Sequence, residues 1–185
     1  DHGHSHEERT FGGGGSSGPY RGAKFSLFEG GIRVPAIISW TSKVPANQVR
    51  TQFATAVDWL PTVASMADIE LPAKRTLDGH DLTAVVCDNA DAPVDTFHWQ
   101  SGRGLGGKPQ WAVRHGHWKL IGNPKDTSNK APITAKDAMF LVDLSQDISE
   151  MKNVAAQNAE VVEQLRKMHE TWLMDVSKPR PTADE

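Results

Sequence analysis

Hydrophobic positions divide the first part of the chain into one polar stretch and a few apolar segments. Residues 1–31 are polar and glycine-rich, so they form either a flexible loop or an active-site loop rather than a core. The apolar run over residues 32–40 predicts a mostly buried strand. Asp58 is a candidate N-cap for a helix through Met66, because Pro61 is tolerated only in a first helical turn.

The second half of the chain has a different pattern, in which short aromatic and β-favouring segments alternate with Gly and Pro. These segments predict a small antiparallel sheet, and they are Thr96 to Gln100, Gln110 to Arg114, His117 to Ile121 and Met139 to Leu144. From Asn153 to Leu173, apolar residues recur at spacings of seven, four, three and four. Such spacings place them on one face of a helix that packs on the sheet.

Together these patterns predict a chain in two parts. Residues 1–95 complete an α/β domain, and residues 96–176 form the antiparallel sheet with one packed helix. The tail, residues 177–185, contains two prolines and is predicted to be disordered.

Composition excludes some function classes. A net charge of −3, without a basic run, gives no reason to expect nucleic acid as a partner. No apolar stretch approaches the roughly 20 residues that span a bilayer, so no membrane is expected. Cys87 is the single cysteine, which excludes an internal disulfide and favours a buried, inert thiol over a reactive one. Because the sequence begins with Asp1 rather than Met, we expect a processed product or a piece of a longer protein.

The first residues could bind a metal. The stretch Asp1-His2-Gly3-His4-Ser5-His6 places a carboxylate beside three imidazoles on alternate positions. Asp and His are common ligands of divalent metals. Short His-rich termini also occur without any metal-binding role, so the pattern by itself leaves both interpretations open.

The stretch from Arg21 to Pro35 carries more information. It places two Arg, one Lys and one Glu among glycines, directly before the apolar run. Lys24, held near glycine backbone, is a candidate point-charge ligand for an anion such as sulfate or phosphate. The alternative is a solvated loop whose charges pair with one another.

This stretch resembles the sulfatases of the alkaline phosphatase superfamily, in which a glycine-rich loop carries a Lys and leads through Glu-Gly-Gly-x-Arg-x-Pro into a strand. Further motifs occur in the order of that family, and the resemblance covers nearly the whole chain. They are Asp1-His2-Gly3, Asp58-Trp59-Leu60-Pro61-Thr62-Val63, Leu77-Asp78-Gly79-His80-Asp81-Leu82, Val113-Arg114-x-x-x-Trp118-Lys119-Leu120 and Leu141-Val142-Asp143-Leu144-x-x-Asp147.

The resemblance implies a fold and a site. The fold would be the C-terminal part of an alkaline-phosphatase-like α/β/α sandwich, followed by a small α+β subdomain. Lys24 would be catalytic, contacting the sulfate and its bridging oxygen. Asp1 and His2 would be metal ligands, with calcium usual in the family and manganese or magnesium left open by the His ligand.

The resemblance also implies substrate-binding residues in the C-terminal part of the chain. His98, Arg103 and Arg114 lie on or between the predicted strands, which border the substrate cleft in this family. The substrate would be a sulfated small molecule or carbohydrate. A purely structural role for each of the three residues is the alternative.

One departure from the family is decisive. The signature Cys or Ser-x-Pro-x-Arg, whose first residue matures to formylglycine, is absent, and Cys87 is followed by neither the Pro nor the Arg. The nucleophile is therefore expected in a missing N-terminal portion of the same protein, which would be the partner of this chain. The family also suggests a periplasmic or secreted location.

Two rival functions stay open on the sequence. The first is a phosphate or phosphonate ester hydrolase of the same superfamily, since phosphate and sulfate are near-isosteric. The second is a non-catalytic fragment or interaction module. The chain alone is expected to be inactive, because the nucleophile and the upstream carboxylates of the family are absent from it.

Overall fold

The computed structural model describes residues 2–7, 13–73, 76–128 and 130–178. Asp1 and all but the first two residues of the predicted tail lie outside these ranges. The helices are α1 (Glu29–Ile32), α2 (Trp59–Met66), α3 (Thr83–Asp88) and α4 (Ala159–Val176). The strands are β1 (Thr96–Arg103), β2 (Pro109–His115), β3 (Trp118–Gly122) and β4 (Met139–Asp143). Short 3-10 turns lie at Ala56–Asp58, Leu105–Gly107, Ala135–Asp137 and Ala155–Gln157.

The chain divides into two compact units. The first combines Asp1–Val34 with Thr96–Glu185, and the second is Pro35–Asp95. The N-terminal segment thus groups with the sheet through contacts inside this chain. The assignment of residues 1–95 to one α/β domain and of 96–176 to a subdomain stays a prediction.

The predicted antiparallel sheet is confirmed. Its four strands follow one another as a meander in the order β1-β2-β3-β4. Successive side chains along each strand point to opposite sides of the sheet, and both of its faces are buried. One face packs Ala112, Ile121 and Phe140 against Leu27 and Phe28 of the N-terminal segment.

The other face of the sheet carries helix α4, as predicted. Leu165 is buried against Val113, Leu120 and Leu141 in the centre of this face. The flanking indoles of the strands and the apolar stripe of the helix surround it, namely Trp111, Trp118, Val161, Val162 and Met168.

Helix α4 begins six residues later than predicted, at Ala159 rather than Asn153. The reason is that the preceding residues bind the edge of β4. Asn153 accepts from the Leu141 N–H over 3.1 Å and donates to the Met139 carbonyl over 3.0 Å, while the Val154 N–H donates to the Leu141 carbonyl over 2.9 Å. These bonds give partners to backbone N–H and C=O groups at the edge of β4 that would otherwise lack them.

The strand predicted over residues 32–40 is wrong for this structure. Ile32 ends the single turn of α1, and no described residue pairs with the backbone of residues 34–39 as a neighbouring strand. A strand needs a partner for its N–H and C=O groups, and Pro35 lacks an N–H altogether. Ile37 is 88% exposed as a result.

The Pro35–Asp95 unit is built around α2, whose predicted helix with Pro61 in the first turn is confirmed. Asp58 does not cap that helix through its side chain. Its carboxylate instead accepts from the Thr55 N–H and hydroxyl, over 2.6 and 2.8 Å, and from the His80 N–H over 2.8 Å. Cys87 in α3 is half-buried, so the expected full burial of its thiol is wrong.

Among the described residues, none of the helices has the length and apolarity that crossing a bilayer would require.

We predict that Leu165→Ala lowers the free energy of unfolding by about 2–5 kcal/mol, because it leaves a cavity in the centre of the interface between α4 and the sheet. Urea unfolding followed by tryptophan fluorescence measures the change. Leu173→Ala, on the same helix at 37% exposure, is the matched control and should cost much less. Equal losses in the two variants would contradict the central position of Leu165 in this interface.

Candidate functional site

Lys24 lies in a turn that packs against the first residues of the chain. The Ser26 N–H donates to the Ala23 carbonyl across this turn over 3.0 Å, and the Lys24 N–H donates to the His4 carbonyl over 2.8 Å. The Lys24 ammonium forms an ion pair with Glu7 at 3.0 Å, and its side chain is 17% exposed. Lys24 is therefore anchored at its backbone while its ammonium holds an anionic oxygen.

A close backbone contact brings the predicted metal ligand His2 to the same place. The Gly3 N–H donates to the Gly31 carbonyl over 2.9 Å. A Cβ at Gly3 would lie 1.9 Å from the Gly30 carbonyl oxygen, so only glycine permits this approach. The His2 ring lies 6.4 Å from the ring of Phe25, the residue after Lys24. The structure thus places the predicted metal-binding and sulfate-binding segments side by side.

The residues present fit a metal only in part. His2 Nδ1 donates to the Gly3 carbonyl over 3.0 Å, which leaves the lone pair on Nε2, an arrangement typical of metal-bound histidines. Within the described ranges, however, no group of three or more His, Cys, Asp or Glu could hold a metal. His4 and His6 bind each other at 3.0 Å, and Asp1 lies outside the described residues. The metal-binding role of Asp1 and His2 stays a prediction.

The segment that carries Lys24, residues 21–29 (the Lys24 segment), is held to the sheet by a buried ionic network. The sequence analysis did not predict this network. The Lys119 ammonium, fully buried on β3, lies 2.8 Å from Glu29 and 2.9 Å from Glu150. The Glu29 N–H also donates to the Glu150 carboxylate. One ammonium thus joins the end of the Lys24 segment to β3 and to the loop after β4. The signal in the sequence was a lysine between Trp118 and Leu120, in an otherwise apolar strand.

The pKa values of the three groups follow from their burial and their charges. Burial lowers the pKa of Lys119, but Glu150 and Glu29 outweigh it and the pKa lies above its ordinary value. Burial raises the pKa of Glu29, but Lys119, assisted by Arg114 and Arg33, brings it below the ordinary range. Burial raises the pKa of Glu150 to about 7, against the opposing effect of Lys119 and together with Glu29.

A buried arginine extends the network. The Arg21 guanidinium donates to the Asp126 carboxylate over 2.7 Å, to the Glu150 carbonyl over 2.9 Å and to the Ala131 carbonyl over 3.0 Å. It also lies 4.2 Å from the centroid of the Phe28 ring. Because Arg21 is 1% exposed, these contacts replace its solvation, and they fix the start of the Lys24 segment.

The loop after β3 completes the support of the segment. The Gly22 N–H donates to the Ser128 hydroxyl, and the Ala23 N–H donates to the Thr127 hydroxyl, both over 3.0 Å. The Thr127 hydroxyl in turn donates to the Ala23 carbonyl over 3.0 Å. Every residue from Arg21 to Lys24 thus has at least one anchoring contact.

His98, the first of the predicted substrate residues, packs on helix α4 rather than beside Lys24. His98 on β1 faces α4, stacks on Trp172 with 5.0 Å between ring centroids, and approaches His169 with 3.4 Å between their Nδ1 atoms. Burial lowers the pKa of His98 to about 4, and His169 adds to the effect. These contacts show a packing role for His98, and its substrate-binding role stays a prediction.

The two arginines differ from each other. Arg114 on β2 donates to the Gly116 carbonyl over 3.0 Å and lies close enough to Glu29 to lower the pKa of that carboxyl. Arg114 therefore borders the buried network. The Arg103 side chain lies outside the described part of the chain, while its backbone ends β1 opposite Pro109. Their substrate-binding roles also stay predictions.

Comparison with known proteins gives consistent matches. The family described as N-sulphoglucosamine sulphohydrolase, C-terminal, matches residues 23–176. Arylsulfatase A of Bos taurus is 34% identical over 152 residues, covering 76% of this chain and 30% of that protein. A solved structure concerned with the metabolism of multiple glycosaminoglycans by Bacteroides thetaiotaomicron is 28% identical with a TM-score of 0.62, covering 83% of this chain and 32% of that one.

A second solved structure, of Ps i-CgsB in complex with k-i-k-neocarrahexaose, is 26% identical with a TM-score of 0.63. It is matched over 80% of this chain and 30% of its own. The chain thus spans about a third of the length of each of these three relatives.

We predict that Glu150 and His98 give opposite pH dependences of stability. The folded pKa of Glu150, about 7, exceeds the ordinary 4.5, so its contribution is present below pH 4.5 and is lost as pH rises through 7. The folded pKa of His98, about 4, lies below 6.5, so its contribution is present above pH 6.5 and is lost as pH falls towards 4.

Urea unfolding of the chain between pH 4 and pH 8 tests this prediction. Glu150→Gln should make stability rise more steeply with pH than in the unsubstituted chain, and His98→Gln should make it rise less steeply. A Glu150→Gln slope that matches the unsubstituted chain would show that Glu150 is ionised in the folded state.

Proposed function

Because the chain belongs to the sulfatase family, we propose that it supplies the sulfate-binding lysine of a sulfuric ester hydrolase. The observation that carries this proposal is the placement of Lys24. Its ammonium already holds a carboxylate oxygen of Glu7 at 3.0 Å, beside the segment that carries His2. A substrate sulfate would take the place of that carboxylate.

Lys24 would act by compensating charge during cleavage of the ester. As the bond between sulfur and the bridging oxygen breaks, negative charge develops on the leaving oxygen. A pre-positioned ammonium stabilises this charge without having to reorganise. The segment that carries this lysine is held by the Arg21 and Glu29 contacts on either side of it.

The complete enzyme would draw its remaining chemistry from the N-terminal portion. A divalent metal, with calcium expected and His2 as one candidate ligand, and a formylglycine nucleophile would supply sulfate activation and attack. The described residues do not complete a metal shell, so we propose that Asp1 and that portion supply further ligands.

We propose that the N-terminal portion covers the exposed apolar surface of the Pro35–Asp95 unit. Its large apolar side chains include Trp59 at 42%, Leu60 at 57% and Ile37 at 88% exposure. Such a surface is typical of one that is buried by a partner. Residues 34–39 would gain their missing backbone partners in the same step.

The relatives suggest the class of substrate. Arylsulfatase A and a structure concerned with glycosaminoglycan metabolism are among them, so we propose a sulfated small molecule or carbohydrate. The phosphate or phosphonate ester alternative draws no support from these relatives. A periplasmic or secreted location is proposed on the resemblance alone.

We predict that Lys24→Ala in the complete protein lowers kcat/KM for 4-nitrophenyl sulfate. The decrease should correspond to a loss of about 2–4 kcal/mol of transition-state stabilisation, the usual effect of removing one charge-stabilising group. Lys167→Ala, an exposed lysine of α4 outside the site, is the matched control and should leave the rate unchanged. The 185-residue chain alone should hydrolyse nothing, with or without calcium or manganese.

Two results would overturn the proposal. Unchanged hydrolysis in the Lys24→Ala variant would remove Lys24 from the reaction. Hydrolysis by the short chain above its Lys24→Ala control would reveal a nucleophile within this chain.

A further inference from the structure

A largely exposed aromatic ring lies beside Lys24. Phe25 is 51% exposed, and its φ of 71° lies in the left-handed region that bulky side chains rarely adopt. It occupies the turn between Ala23 and Ser26, at a kind of position that normally takes glycine. An exposed phenylalanine on a strained backbone points to a contact with a ligand.

The turn that presents Phe25 is firmly held. The buried Gln110 side chain on β2 donates to the Phe25 carbonyl over 2.7 Å. This bond ties the turn directly to the sheet. The ring therefore projects from a fixed support instead of a mobile loop.

Two ammonium groups flank this ring. The Nζ atom of Lys24 lies 4.9 Å from the Phe25 centroid, and that of Lys125 lies 5.8 Å from it. Lys125 is exposed, but its loop is fixed by the adjacent Asp126, which pairs with Arg21 at 2.7 Å. The spacing of the two charges is thus set by the same segment that carries Lys24.

A cleft lies beside Lys125. Its volume is about 660 Å³, and its lining includes Leu105, Gly106, Lys125 and Ile133. A space of this size suits a ligand of one or a few rings, since small-molecule sites commonly measure roughly 300–1,000 Å³.

We propose that Phe25 and Lys125 form a second substrate subsite, selective for a saccharide that carries a further anionic group besides the scissile sulfate. The proposal rests on the proposed sulfate-binding role of Lys24. Phe25 packs against the carbon face of the sugar ring, and Lys125 pairs with a second sulfate or a carboxylate. The cleft receives the continuing saccharide, so a multiply charged carbohydrate fits this surface better than a singly charged ester.

The test compares two substrates of the complete protein. One is 4-nitrophenyl sulfate, with a single anionic group, and the other is a disulfated disaccharide that contains a uronic acid. Lys125→Gln should lower the ratio of kcat/KM for the disaccharide to that for the aryl ester roughly tenfold, through KM, as expected for one charge-assisted hydrogen bond. Lys167→Gln on α4 removes the same charge elsewhere and should leave the ratio unchanged.

Phe25→Gly tests the ring separately. Glycine is at home at a φ of 71°, so this variant should fold at least as well as the unsubstituted protein, which thermal unfolding checks. Its KM for the disaccharide should rise several-fold, in line with the loss of one aromatic contact.

The outcomes separate the two proposals. If the aryl ester is hydrolysed and the substrate ratio is the same in Lys125→Gln and Lys167→Gln, the subsite is wrong and the proposed function stands. An unchanged KM in Phe25→Gly likewise removes the ring from binding. If the unsubstituted complete protein hydrolyses neither ester, the proposed function fails and the subsite fails with it.

Discussion

The structure depends on one buried lysine. Lys119, the second residue of β3, has no solvent access, and its ammonium contacts the carboxylates of Glu29 and Glu150. A buried ammonium without partners would cost several kcal/mol. Strand β3 can therefore take its place in the sheet only when Glu29 and Glu150 contact this ammonium. Glu29 is the last residue of the Lys24 segment, and Glu150 lies in the loop between β4 and α4. Folding of the sheet around Lys119 therefore requires the Lys24 segment to be in its place.

This constraint explains how a glycine-rich loop can present Lys24 in a fixed position. Arg21 at the start of the segment and Glu29 at its end are both buried and paired, while Gly22 and Ala23 bind the loop after β3. Hydrogen bonds hold the backbone at Gly22, Ala23 and Lys24, so an anion that replaces Glu7 would meet Lys24 on a fixed backbone. Burial at this position, together with the neighbouring Glu29 carboxylate, raises the pKa of Glu150 against the opposing effect of Lys119.

Local pattern was enough to predict the four-stranded sheet and the helix packed on it, and to single out Lys24 as a candidate, because each depends on residues near in sequence. The ionic network was missed because its partners are 90 and 121 residues apart along the chain. The strand over residues 32–40 was predicted from its apolar residues, but pairing requires a neighbouring strand that no described residue provides. Hydrophobicity alone did not distinguish a strand that is buried within this chain from an apolar segment that is exposed, such as the one that contains Ile37.

Amide hydrogen exchange in a Lys119→Met variant of the complete protein tests the central role of Lys119 most directly. Removing one partner of a buried ionic group costs about 3–5 kcal/mol, which corresponds to a loss of protection of at least about a hundredfold. We expect this loss at the amides of residues 22–31, among them Gly30, whose N–H donates to the Arg21 carbonyl. Amides of β2 should keep most of their protection. Unchanged protection of residues 22–31 in the variant would contradict the central role of Lys119.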